Sequence, residues 1–242
     1  NVIARTAVDR VDTGANLGAT VHYRQGDSDE DRTAYGEVVL AAIGRVPNTD
    51  ADWFRSSGLK LDERGYVTVD GYGRTNLDGV WALGDITPGH ALAHRAFEQG
   101  ITIAEKIAGA DPKPVLDDTV PQVVFSFPEA ASVGLTLDQA KAREDVVEPK
   151  ETAYPMLSNA RMLMSGEGGS MTVVSGAFAN NPDMQVVLGV HIVSPIASDL
   201  IAEAEQLVGN RVPLADAARL IHPHPTFSET LGEALLKADG RP

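Results

Sequence analysis

Histidine is the residue type best suited to moving protons near neutral pH. Two of the six in this 242-residue chain each stand directly before a proline in HPHPTFSE, residues 222–229. A proline pushes the residue before it out of helical conformation, so His222 and His224 are held in extended backbone just ahead of what reads as the last helix. Glu229 lies one turn inside that helix, able to reach back. A carboxylate bonded to one ring nitrogen fixes the tautomer and leaves the other nitrogen basic, which is the arrangement of a general base. The octet also has a structural reading. Thr226 and Glu229 have the T-x-x-E spacing of a capping box, with loop histidines beside it. Both readings stay open at this point. Two imidazoles without a third ligand nearby do not make a metal site, so no metal is expected.

The second candidate is TNLDGVWALGD, residues 75–85. Asp85 ends an apparent apolar strand, the place where open α/β sheets bind ligands. Its carboxylate can accept hydrogen bonds from two neighbouring hydroxyls, and Gly84 lets a ligand approach the backbone. The helix that follows would aim its first amides, near Ala93 and His94, at an electron-rich group. The alternative is a turn aspartate that caps a helix. Other features read as structural. His22 and His191 lie in strand patterns as core or edge residues, and His90 lies in a loop. The glycine-rich SGEGGS, residues 165–170, opens no helix and carries no lysine, so it fails as a phosphate loop. No G-x-S-x-G occurs, and cysteine is absent. That removes the common serine-hydrolase pattern, disulfides, thiolate metal sites and cysteine catalysis within these residues.

The elements that must position these groups are legible in outline. Residues 1–47 read as strands: ATVHYRQG (19–26) alternates, EDRTAYG (30–36) is a charged turn and edge, and EVVLAAIG (37–44) is an apolar run typical of a strand buried on both faces. In 48–113, GYVTVDGYGRT and GVWALGD read as short strands, followed by a helix from about Ala91 to Ala108. The stretch 109–121 is rich in Pro, Asp and Gly and reads as a linker. Beyond it, QVVFSF (122–127) is a strand, and LTLDQAKAR (135–143) a helix with Thr136 and Gln139 at capping-box spacing. SMTVVSGAF (170–178) and QVVLGVHIV (185–193) form a hairpin. IASDLIAEAEQLVG (196–209) is a helix with Pro195 at its first position. A short helix, PLADAARLI, and a closing helix from about Phe227 to Lys237 complete an α+β domain at 118–242.

Acidic residues outnumber basic ones 34 to 20, for a formal charge of −14. That balance repels nucleic-acid backbones and anionic lipid. No apolar run reaches the ~18 residues that span a bilayer. The absence of a signal segment and of cysteine makes a cytoplasmic location the expectation. The chain opens on Asn1, in what reads as the middle of a domain, so a piece of a longer protein is expected.

Six segments occur in order: AAIGRVPNT (41–49), TNLDGVWALGD (75–85), LAHRAFEQG (92–100), VPQVVFSFPEAASVGLT (120–136), GVHIVSPIASDLI (189–201) and HPHPTFSE (222–229). Together they resemble the C-terminal half of the flavin-dependent pyridine-nucleotide disulfide oxidoreductases, from about Glu37 to Lys237. Within that family, LAHRAFEQG and GEALLKADG (232–240) are most similar to the dihydrolipoyl dehydrogenases. Mycothione, glutathione and mercuric reductases share the framework. The chain departs from it at Ser194-Pro195 and Asp199, where Gly-Pro and Glu are frequent.

The resemblance implies a mixed fold. Residues 1–47 would be the tail of an NAD-binding domain, 48–113 the C-terminal part of a Rossmann-like FAD-binding domain, and 118–242 an α+β dimerisation domain that forms a homodimer. It implies FAD and NAD as cofactors, with Gly84 and Asp85 at the ribityl chain and the backbone of Leu92, Ala93 and His94 facing the flavin edge. His224 would be the acid–base residue, oriented by Glu229, ahead of a cis bond to Pro225, and it would serve the active site of the opposite subunit. The substrate would be a small dithiol or the lipoyl group of a 2-oxo acid dehydrogenase complex. The FAD glycine fingerprint, the redox C-x-x-x-x-C and the NAD glycine fingerprint that the family requires are not among these residues. Catalysis by these residues alone is therefore not expected, and a homodimerisation module without chemistry is the alternative for this stretch.

Overall fold

Alternating side chains set the first sheet. The computed structural model describes residues 1–14 and 18–241. These form two compact units, Asn1–Val46 and Pro47–Pro242. In the first, β1 (Thr6–Thr13), β2 (Ala19–Gln25) and β3 (Arg32–Gly36) form an antiparallel sheet in the order β1-β2-β3. Cross-strand charges reinforce it. The Arg24 guanidinium donates to both carboxylate oxygens of Asp9 at 2.8 and 2.7 Å. His22, on the central strand, lies 3.0 Å from Asp12 and 3.0 Å from Asp31. The apolar run 37–44 differs from expectation. It forms no strand, and Val38, Leu40 and Ile43 are 87, 88 and 94% exposed. A strand buried on both faces needs neighbours on both sides, and among the described residues none pairs with it.

The second unit begins with α1 (Asp52–Ser56), which places Phe54 against Val67 and Ala82 in a small core. Two aspartate turns follow. The Asp62 carboxylate accepts from the amides of Arg64 and Tyr66, and that of Asp70 from Tyr72 and Arg74. Side chains of this type replace a backbone partner in tight turns. The two expected strands reduce to isolated bridges, Leu61 to Val67 and Arg74 to Trp81. The helix expected next is α2 (Ala93–Ile107).

After the 109–121 connection comes a five-stranded antiparallel sheet in the order β4-β5-β8-β7-β6. Its strands are β4 (Gln122–Val124), β5 (Glu129–Gly134), β6 (Val146–Pro155), β7 (Ser170–Phe178) and β8 (Asn181–Ser194). Strands β5 and β6 escaped the sequence reading. α3 (Leu137–Ala142), with both halves of the Thr136–Gln139 capping box formed, joins β5 to β6, and α4 (Ala160–Ser165) lies between β6 and β7.

Three helices close one face of this sheet. α5 (Ala197–Gly209) buries Leu200, Ile201, Ala204, Leu207 and Val208, an i, i+3, i+4 stripe that fixes which side meets the sheet. α6 (Leu214–Ala217) and α7 (Glu229–Ala238) complete the layer, with Leu231 and Leu235 at 1 and 0% exposure among Met156, Met171, Val173 and Ile192. Each such side chain contributes roughly 1.5–3 kcal/mol on burial. α5 begins two residues after Pro195 rather than on it. Its opening amide, Ser198 N–H, donates to Glu129 of β5 at 2.8 Å, so a strand carboxylate does the work of a cap. Among the described residues no helix is long and apolar enough to cross a membrane.

Candidate functional site

The octet 222–229 divides its two histidines between two tasks. The side chain of His224 is 74% exposed, and its Nδ1 lies 2.8 Å from Glu229 Oε1. A carboxylate only accepts, so Nδ1 carries the proton, and in the neutral ring Nε2 holds the lone pair. Among the described residues no group takes that nitrogen. The side chain of His222 is 8% exposed, and its Nε2 lies 2.7 Å from Glu203 Oε1 on α5. The histidine that could work is thus outside, and the one that is held is inside. The His224–Pro225 bond is cis.

Glu229 is the joint of the loop. Its Oε2 accepts from the Thr226 amide at 2.7 Å while Oε1 takes His224. The Thr226 amide first, and the His224 hydrogen bond second, hold its carboxyl below the usual glutamate range. Both readings of the sequence are therefore half present. The carboxylate does reach back to the backbone of Thr226, as a capping box requires. The Thr226 hydroxyl instead donates to the Pro223 carbonyl at 2.6 Å. The loop is tied from below by Asn159, which is 7% exposed. Its Nδ2 donates to the Thr226 carbonyl at 2.9 Å, and its Oδ1 caps α4 by accepting from Arg161 and Met162. Asn159 and Glu203 were not legible as site residues, because they lie 67 and 19 positions from their partners.

Gly84 and Asp85 stand in a 3-10 turn, Gly84–Ile86, separated from α2 by the segment Thr87 to Leu92. Gly84 has φ +72°, which a side chain would strain. The Asp85 carboxylate is exposed and takes no hydrogen bond among the described residues. Leu92 is the N-cap residue of α2, without any side-chain cap, so the first helical amides, including those of the exposed Ala93 and His94, meet no side-chain acceptor. The turn is braced from α2 itself. Gln99 Oε1 accepts from the Gly84 amide at 2.9 Å. The 6%-exposed Arg95 donates from Nη2 to the Pro88 carbonyl and from Nε to Asp117, both at 2.6 Å. Arg95 and Gln99 share one helical face at i, i+4 spacing, a signal that could have singled them out. His94 sends its ring the other way, with Nε2 donating to the Pro121 carbonyl at 2.7 Å. His191 is a sheet residue, between Ser132 at 2.6 Å and the Leu135 carbonyl at 3.2 Å.

An exposed, carboxylate-oriented imidazole on an α+β domain, and a glycine–aspartate turn braced on a following helix, define a class. Two models of one family match the chain: pyridine nucleotide-disulphide oxidoreductase over residues 1–100, and the dimerisation domain of the same family over residues 120–235. The chain belongs to the pyridine nucleotide-disulphide oxidoreductases.

Within that class its similarity runs to dihydrolipoyl dehydrogenases. It is 40% identical over 236 residues to the one from Cupriavidus necator, covering 97% of this chain and 48% of that protein. It is 38% identical over 244 residues to the one from Geobacillus stearothermophilus, covering 100% of this chain and 48% of that protein. The crystal structure of LpdA from Mycobacterium tuberculosis superposes with a TM-score of 0.83 at 30% identity, over 96% of this chain and 48% of that one. The flavoprotein disulfide reductase RclA from Escherichia coli shares the fold, with a TM-score of 0.76 at 21% identity over 95% of this chain and 50% of that one. The chain thus spans about half the length of the curated relatives it matches.

Proposed function

We propose that this chain is the C-terminal half of an FAD-dependent dihydrolipoyl dehydrogenase, with residues 1–47 the tail of the NAD-binding domain, 48–113 part of the FAD-binding domain and 118–242 the segment that forms the homodimer. The observation that carries the reading is the His224–Glu229 pair: an exposed imidazole whose Nδ1 is committed to a carboxylate and whose Nε2 is open. His224 takes a proton at Nε2 from a thiol of the dihydrolipoyl group, because a free thiol of pKa near ~8.5 is mostly protonated at neutral pH. Glu229 holds the neutral ring in the Nδ1–H tautomer and stabilises the imidazolium once the proton has moved. The thiolate so formed attacks a disulfide, which belongs to the part of the enzyme beyond these residues. The pair is directed to the site of the opposite subunit in the homodimer.

The residues at 84–94 fit FAD in their donor and acceptor chemistry. Asp85 offers an acceptor with unused lone pairs, for neighbouring ribityl hydroxyls. The uncapped amides at Ala93 and His94 offer donors for an electron-rich ring edge. FAD, when bound, supplies the two-electron redox chemistry between dithiol and NAD⁺. Gln99 and Arg95 keep the turn and the helix end in register with each other. The substrate class, a dihydrolipoyl group, follows the relatives' name; our reading places that group on a 2-oxo acid dehydrogenase complex and the enzyme in the cytoplasm. The test is His224→Gln in the intact flavoenzyme, assayed by NAD⁺ reduction with dihydrolipoamide. General acid–base catalysis is worth about 10²–10⁴-fold, and a loss of that size is expected. Full turnover in this variant would remove His224 from the mechanism.

A further inference from the structure

We infer that His222, held by Glu203, is the positioning residue that sets the orientation of the His224 ring. The inference rests on the reading of His224 as the acid–base group and adds the device that aims it. Three observations carry it. The His222 ring is almost wholly covered, at 8% exposure, although it is two residues from a ring that is 74% exposed. Its Nε2 donates to Glu203 Oε1 at 2.7 Å, across from α5. On its other side α7 presents Gly232, where a Cβ would lie 2.6 Å from His222 Nδ1 and 2.9 Å from Cε1. Helix α7 lacks a side chain where the ring needs room, and α5 supplies a carboxylate where the ring needs an acceptor. The imidazole is a peg between two helices.

The peg matters because of what lies between it and His224. Only Pro223 intervenes, and Pro225 follows, so two of the φ angles from 223 to 225 are fixed by rings. With few free torsions, the direction of the His224 side chain follows from the two ends of the segment. One end is the His222–Glu203 contact. The other is Thr226, held by Asn159 and Glu229. Release of the first end leaves a short, stiff segment pivoting on the second, and the ring then leaves the Glu229 carboxylate for part of the time. A clip that merely joined α5 to α7 would have no such effect on His224.

The experiment is imidazole ¹⁵N NMR on the intact flavoenzyme, with the Nδ1–H tautomer fraction of His224 as the readout. Free imidazole side chains prefer the Nε2–H form, so the Nδ1–H form reports contact with Glu229. Glu203→Ala should lower that fraction at least twofold, while Glu203→Gln, whose amide oxygen still accepts from His222, should retain it. Glu203 is 38% exposed, so neither change empties a core. In the intact enzyme Glu203→Ala should lower kcat with dihydrolipoamide about tenfold to a hundredfold, as misplacement of a catalytic group does, and leave KM for NAD⁺ unchanged. An unaltered His224 tautomer in Glu203→Ala and in His222→Gln would overturn the inference. Because the NMR readout needs no turnover, it stands or falls separately from the His224→Gln test.

Discussion

Removal of the Asn159 side chain separates what holds the His224 loop from what holds the rest of the domain. Asn159 makes two kinds of contact. Its Oδ1 accepts from the amides of Arg161 and Met162 at 2.9 and 3.2 Å, and its Nδ2 donates to the Thr226 carbonyl at 2.9 Å. Loss of an N-cap costs about 1 kcal/mol, within 0.5–2, and loss of a buried hydrogen bond about 1 more. Asn159→Ala should therefore destabilise the chain by about 2 kcal/mol in urea unfolding. At about 2–4 °C per kcal/mol for a unit of this size, the melting temperature should fall about 4–8 °C. Asn159→Asp keeps the acceptor for α4 but has no donor for Thr226, so it should cost about half as much. The loop should nevertheless loosen in both variants, because Thr226 is also the residue that donates to Glu229. A cost below about 0.5 kcal/mol for Asn159→Ala, or equal costs for the two variants, would refute the division of labour between the two ends of this side chain.

Two further outcomes follow from the geometry. Glu229 has its carboxyl lowered in the folded chain by the Thr226 amide and His224. A depressed carboxyl contributes stability above its unfolded value and loses it as pH falls through the folded one. The contact with His224 should thus persist through mildly acidic solution and break only below about pH 4.3, the ordinary glutamate value. A carboxyl ¹³C titration checks this, and a Glu229 midpoint above that value would contradict it. Asp85→Ala in the intact flavoenzyme should weaken FAD retention and leave the fold intact, since the exposed Asp85 carboxylate takes no hydrogen bond among the described residues. Flavin release on dilution, read beside circular dichroism, distinguishes this from unfolding.

The sequence by itself determined those features whose causes are local. The reach of Glu229 back to His224 and the Thr136–Gln139 capping box depend on residues within five positions of each other, and both are formed, although Glu229 opens α7 where the sequence reading put it one turn inside. The alternation of β2, the hairpin pattern of β7 and β8 and the proline-opened run of α5 likewise announced their elements. Local pattern could not provide partners. EVVLAAIG reads as a doubly buried strand because its side chains from Val38 on are apolar, yet no described residue pairs with it and it forms no strand and stays exposed. GVWALGD forms only the Arg74–Trp81 bridge for the same reason.

Only the tertiary structure decided which histidine is aimed and which is anchored. His222 and His224 each precede a proline, and that shared local pattern does not tell which ring is buried and which is exposed. What separates them is the packing of α5 and α7 on the sheet. That packing brings Glu203 and the bare backbone of Gly232 to one ring and leaves the other in solvent. The register of a helix on a sheet is a sum of many apolar contacts between residues far apart in the chain. No short stretch of sequence contains it.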